Sequence, residues 1–221
     1  MIYVTGDLHG ELKRLKAKPF RKLKKGDTVI VCGDFGFLWE GGKKEERLLK
    51  KLGRLKYQLL FLDGCHENYD LLDQYPVSGF SGGQAQVLSG NLIHLLRGQV
   101  YTIEGRTVFA MGGGVCGDQA DRMATGHWSA RETPSEEELA QAVENLKKCD
   151  FIVDYVVTHD CSGAMRHFIG ADREEMTELQ AFFDEVTARL HFKKWFFGLY
   201  HLDKNLPPRH TAVFQELIPL P

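Results

Sequence analysis

Residues 2–10 read IYVTGDLHG, a run of β-branched and aromatic residues that halts at a glycine and then delivers Asp7 and His9. The pattern returns twice. Residues 28–32 (TVIVC) lead to Gly33 and Asp34, and the apolar run 59–62 leads to Asp63, Gly64, Cys65, His66 and Glu67. Such runs, bounded by glycine and polar residues, predict short strands. Between them, residues 12–23 and 43–56 space their leucines at helical intervals and turn lysines and arginines to the remaining faces. Strand–helix–strand alternation implies a parallel sheet, because parallel neighbours need a crossover between them.

Further along, residues 93–96, 100–103 and 107–111 are closely spaced strand candidates, with Glu104, Gly105 and Arg106 as a tight turn. The stretch TPSEEELAQAVENL (133–146) predicts a helix with Ser135 as N-cap, Glu138 three residues on, and acids in the first turn. A second long helix is expected over 174–190, and strands over 154–158, 194–198 and 211–217. Residues 117–132 read as a long ordered loop, a kind of segment that often carries function.

Bulk properties narrow the class. A chain of 221 residues that is 43% hydrophobic fits one globular domain, 1–221, with a substantial core. A formal net charge of −2 argues against a dominant nucleic-acid-binding field, although a nucleic-acid end stays open as a substrate. The 5 cysteines are scattered and odd in number, which is poor material for a disulfide framework. No apolar run reaches the length of a membrane span, and the start of the chain does not read as a secretory signal. The expectation is a cytoplasmic protein, with its oligomeric state undetermined.

The chemistry gathers at strand exits. Asp7 and His9 follow the first strand, Asp34 the second and His66 the third; His159 follows 155–158, and His201 follows 195–198. In parallel α/β sheets, ligands bind beyond the carboxyl ends of the strands, so these side chains converge at one edge. Oxygen and imidazole donors of this kind suit Mn, Fe or Zn, and the set lacks the paired cysteines of a structural zinc site. One Asp or His after a strand is usually a turn residue or a helix cap; the recurrence is what points to a site.

The motifs GDLHG (6–10), GDFGF (33–37), GCHEN (64–68), THD (158–160) and GLYH (198–201) resemble, in order and placement, those of the calcineurin-like metallophosphoesterases. The similarity runs on through HLLRG (94–98), MGGGVCGDQADR (111–122) and WFFGLYHLD (195–203), where a bacterial subgroup looks similar. The resemblance implies an α/β fold, a four-layer α/β/β/α sandwich of mixed sheets, with a site for two divalent cations. It implies Asp7, His9 and His201 on the first cation, Asp34 bridging both, His159 on the second, and His66 facing the scissile phosphate. The implied reaction is hydrolysis of a phosphate mono- or diester by in-line attack of a metal-activated water, with Asp34 and His66 as the catalytic pair. The substrate would be a phosphorylated small molecule, a nucleotide or a phosphoprotein. Glu67, Asp63 and Asp160 are candidates to orient a histidine, and Arg122, His127 and Arg131 to contact phosphate.

Two residues depart from the family pattern. Cys65 stands where the pattern has an asparagine ligand of the second cation, and Leu199 where it has a histidine ligand of that cation. Phe37 occupies a position that is acidic in several relatives, so that segment offers His66 no carboxylate. Three readings follow: Cys65 ligates as a thiolate, the second site is weak or empty, or the chain is a metal-binding pseudoenzyme that recognises a phosphorylated ligand or partner. A Cys65–His66 nucleophile pair is disfavoured, because adjacent residues after a strand point in different directions.

Overall fold

The computed structural model describes residues 1–171 and 175–220. The strands are β1 (Ile2–Thr5), β2 (Thr28–Val31), β3 (Gln58–Phe61), β4 (Val77–Phe80), β5 (Gly83–Ser89), β6 (Leu92–Leu95), β7 (Gln99–Ile103), β8 (Arg106–Met111), β9 (Tyr155–Thr158), β10 (Lys194–Phe197), β11 (Lys204–Leu206), β12 (His210–Ala212) and β13 (Ile218–Pro219). The helices are α1 (Leu12–Leu15), α2 (Lys18–Arg21), α3 (Lys43–Leu52), α4 (Tyr69–Leu72), α5 (Gln119–Thr125), α6 (Glu136–Lys147), α7 (Gly163–Ile169) and α8 (Glu178–Thr187).

Two mixed sheets form. One runs β13-β1-β2-β3-β6-β5-β4 and the other β11-β12-β10-β9-β8-β7. Side-chain alternation sorts the core into layers. In β2, Ile30 joins the inter-sheet core with Val4, Leu60, Val108 and Val157. Its neighbours Val29 and Val31 face the other way, onto Leu15, Leu49, Leu52 and Leu72 of α1, α3 and α4. On the opposite sheet, Phe109, Val156 and Trp195 pack against Ala142 and Leu146 of α6 and Leu179 and Phe183 of α8. Helices therefore cover both outer faces, giving the four layers that the family resemblance implies.

Register explains why the strand exits meet. Thr5, Val31, Phe61 and His94 are level across β1, β2, β3 and β6, all parallel. Met111, Thr158 and Phe197 are level across β8, β9 and β10, also parallel. The two parallel cores thus end together at one rim, and backbone bonds stitch the rims: Gly113 N–H donates to the Asp63 carbonyl at 3.0 Å.

Several expectations are corrected. The helix read over 12–23 is broken into α1 and α2, with Ala17 extended as the N-cap of α2 and Pro19 in its first turn, where the missing N–H costs no helical bond. The hairpin β4–β5 has no clear sequence mark, because its strands are rich in serine, glycine and glutamine and β4 is largely exposed. The 117–132 segment contains α5 and a 3-10 turn over Ala130–Glu132 rather than a plain loop. The late helix spans Glu178–Thr187, and the expected start at Glu174 lies outside the described residues. The Ser135–Glu138 capping box of α6 and the turn at Glu104 and Gly105, both at positive φ, are as the sequence implied.

Candidate metal centre

Asp7, His9, Asp34, His66, His159 and His201 do converge. His9 Nε2 lies 2.9 Å from His201 Nε2, and His201 Nε2 lies 3.3 Å from Asp7 Oδ2. Asp34 sits between the two sheets' contributions: its Oδ2 is 3.9 Å from His9 Nε2 and its Oδ1 is 3.4 Å from His159 Nε2. Asp7, Asp34 and His159 are buried, whereas 31% of the His9 side chain and 50% of that of His201 stay exposed. One side of the site is therefore open and the other closed.

The local backbone is bent to achieve this. His9, Asp34, Leu199 and His201 all have φ between 46° and 65°, a left-handed conformation that non-glycine residues seldom adopt. Such strain clusters where a side chain must be aimed, and here it sits on three ligand candidates. Glycine supplies the clearance. A Cβ on Gly64 would fall 2.2 Å from Asp34 Oδ1 and 2.7 Å from His159 Nε2. One on Gly198 would fall 2.4 Å from Asp7 Oδ1. Arg14 fixes the exit of β1 by donating to the carbonyls of Asp7 and Phe214.

The donors fit divalent cations. Asp7 Oδ2 is buried with no hydrogen-bond partner, an acceptor directed at His9 and His201. His159 donates from Nδ1 to the Cys32 carbonyl at 2.8 Å, which leaves Nε2 as the atom facing Asp34. A backbone carbonyl behind a histidine in this way is the usual means of fixing a metal-ligating tautomer. The 2.9 Å between His9 and His201 is close to the roughly 3 Å expected of cis nitrogens at 2.0–2.1 Å from one ion.

His66 is held by two carboxylates. Its Nδ1 bonds Asp34 Oδ2 at 2.8 Å and its Nε2 bonds Asp118 Oδ2 at 2.9 Å. The Asp34 bond, then Cys116, then Asp118 push its pKa up to about 11 against the opposing effect of burial. Burial pushes Asp34 upward, yet His159 and His66 hold it well below the usual carboxylate range. Desolvation lowers His9, and the Asp7 contact raises His201.

Some expectations about the surroundings need correcting. Asp118, at the N-cap position of α5, makes no side-chain cap and turns to His66 instead. It thus supplies the carboxylate that buried Phe37 does not. None of the three carboxylates considered as histidine-orienting partners hydrogen-bonds a site histidine. Asp63 pairs with Arg97 at 2.5 Å, with His94 at 3.4 Å and with Tyr69; Asp160 accepts from Tyr200 and Gln180; Glu67 accepts from Phe35 N–H. Arg122 is buried, with Nε on Asp118, Nη1 on Glu132 and the Cys65 carbonyl, and Nη2 on Glu132. It lies under the GCHEN turn as a tie. Arg131 bridges Asp70 and Asp73 on a neighbouring groove, where His127 stacks on Trp39.

Cys116 is the site residue that sequence reading missed. Five residues beyond β8, it is buried with Cys65 and Leu199 in a small cluster of their own. Among the described residues, potential ligand atoms come within 4.8 Å of one another in four groups: Asp7, His9 and His201; His9, Asp34 and His66; Cys65, Cys116 and His159; His66, Cys116 and Asp118. A cavity above them is lined by Asp34, His66, Cys116, Gly117, Asp118, Leu199 and His201. No helix among the described residues is long and apolar enough to cross a membrane.

Among known families, the model described as calcineurin-like phosphoesterase matches residues 1–180, from β1 into α8, a span that contains Asp7, His9, Asp34, Cys65, His66, Cys116, Asp118 and His159 but not Leu199, Tyr200 or His201. No curated protein matches the chain significantly.

Proposed function

The chain belongs to the calcineurin-like phosphoesterase family, a family of metal-dependent phosphoester hydrolases, and we propose that it is itself a hydrolase of a phosphate mono- or diester. The observation that carries this reading is the arrival of Asp7, His9, Asp34, His66, His159 and His201 at one rim, within ion-binding distance of their neighbours. Asp7, His9 and His201 would hold one divalent cation, Mn, Fe or Zn, with Asp34 reaching both it and a second near His159. Such ions supply Lewis acidity toward phosphate oxygens and lower the pKa of a bound water.

The chain's own residues do the rest. His66 is the proton donor of the site: it borders the open cavity and keeps its proton against Asp118 until a leaving oxygen arrives. Asp118 orients the ring and stabilises the imidazolium. Buried Asp34 stays anionic, so it both anchors Nδ1 of His66 and offers its oxygens to cations. The half-exposed His9 and His201 leave the approach open to a phosphorylated small molecule, a nucleotide or a phosphoprotein side chain. Unpaired, mostly buried cysteines fit a reducing setting such as the cytoplasm.

Hydrolysis of chromogenic phosphate mono- and diesters by metal-depleted protein, before and after Mn or Zn is restored, tests this reading. Turnover that appears with metal and falls in H66A while metal content holds is the expected result. Metal binding without turnover on either ester class contradicts it and favours the pseudoenzyme.

A further inference from the structure

We propose that Cys65, Cys116 and His159, with one oxygen of Asp34, form a thiolate-rich cation site that prefers Zn²⁺ to Mn²⁺ or Mg²⁺. The proposal rests on the metal-centre reading above and specifies the half of the centre that the family pattern leaves incomplete. Cys116 is the decisive residue, because it brings a second sulfur to a place where the chain offers Leu199, which has no donor atom.

The distances suit a tetrahedral ion. Cys65 Sγ lies 3.8 Å from His159 Nε2. Ligands at about 2.3 Å (sulfur) and 2.0–2.1 Å (nitrogen) in tetrahedral array stand about 3.6 Å apart. His159 Nε2 and Asp34 Oδ1 are 3.4 Å apart, against roughly 3.3 Å for nitrogen and oxygen on the same kind of ion. Cys116 joins Cys65 and His159, its Sγ within 4.8 Å of Cys65 Sγ and of a His159 ring nitrogen.

The alternative is that the cysteines and Leu199 form an apolar plug. They do pack together. A plug requires His159 to carry a proton on both ring nitrogens. His159 Nδ1 already donates to the Cys32 carbonyl, so a neutral ring turns a lone pair toward the Asp34 carboxylate 3.4 Å away. Something positive must sit between them, either a proton on Nε2 or a cation. A proton satisfies that pair alone, whereas a cation satisfies both sulfurs as well. Leu199 then forms the dry wall of the site, lowering the local dielectric and shielding the sulfurs. Soft sulfur donors select zinc-like ions over Mg²⁺ and Mn²⁺, which favour oxygen.

Cobalt(II) is the probe. Metal-depleted protein, kept reduced with a non-thiol reductant, is titrated with Co²⁺ and its near-ultraviolet absorption followed. A strong thiolate-to-cobalt charge-transfer band is expected in the wild type and in H201A. It weakens in C65S and C116S, disappears in the double variant, and is displaced by Zn²⁺ but not by Mn²⁺. Zinc affinity in C116S should fall by at least the roughly 10- to 100-fold that loss of an outer-shell partner causes. Absence of the band in the wild type, or an unchanged band in C116S, overturns the proposal. Ester hydrolysis measured on the same samples separates the two readings: a band without turnover counts against the hydrolase alone, and turnover without a band counts against the thiolate site alone.

Discussion

The two halves of the centre share Asp34 and differ in nearly everything else. Asp7, His9 and His201 offer oxygen and imidazole nitrogen, and both histidines are partly open to solvent. Cys65, Cys116 and His159 are buried and bring two sulfurs to one nitrogen. The open half is built on left-handed residues at strand exits, His9 and His201, that aim side chains outward. The closed half is packed from below by a glycine-lined turn and from the side by Leu199. The contrast teaches that one sheet edge can hold hard, exchangeable chemistry and soft, sequestered chemistry a few ångströms apart, provided a carboxylate spans them.

The prediction with the largest effect removes that span. In D34N, hydrolysis should fall by on the order of 10⁴-fold, from several kcal/mol of lost charge stabilisation, and elemental analysis should show metal lost from both halves. Metal lost from one half alone would break the idea of a shared ligand. Next comes H66A, where kcat should drop by about 10²–10³-fold with metal content unchanged. A parallel loss of metal would make His66 a ligand instead of a proton donor.

Asp118→Asn should cost less, about 10-fold, and its pH profile carries the information. Asp118 helps to raise the His66 pKa. A proton donor fails as pH rises through its pKa, so removing that carboxylate should move the alkaline loss of kcat to lower pH. An unmoved limb would mean that Asp118 acts on something other than His66. The smallest effect is on folding. Gly64→Ala forces a Cβ onto Asp34 and His159 and should cost about 1–3 kcal/mol by overpacking. Thermal unfolding should register this as a fall in Tm of about 2–4 °C per kcal/mol for a chain of this size. An unchanged Tm would show that the closed half has room for the added methyl group.

The open half was legible in the sequence and the closed half only partly. Asp7, His9, Asp34, His66, His159 and His201 each follow a recognisable strand, so local pattern places them. Cys116 and Asp118 follow a strand too, but a glycine triplet and several loop-like residues intervene, and their partners Cys65 and His66 are 50 or so positions away. Nothing in the local spacing links such pairs; only the alignment of β3 and β8 in different sheets, with Gly113 bonded to the Asp63 carbonyl, does. The four layers were implied by the family resemblance alone, because β2, buried at every position, carries no alternation to read. The β4–β5 hairpin was not legible, because an exposed edge has no apolar face to signal it.

Anomalous scattering at the zinc absorption edge, from crystals of reduced protein grown with Zn²⁺ and Mn²⁺ together, would locate the ions in the two halves. A zinc peak enclosed by Cys65 Sγ, Cys116 Sγ, His159 Nε2 and an Asp34 oxygen is expected, with a separate ion at Asp7, His9 and His201. Sulfurs in plain van der Waals contact with Leu199, and no anomalous peak between them, would contradict the thiolate-rich site.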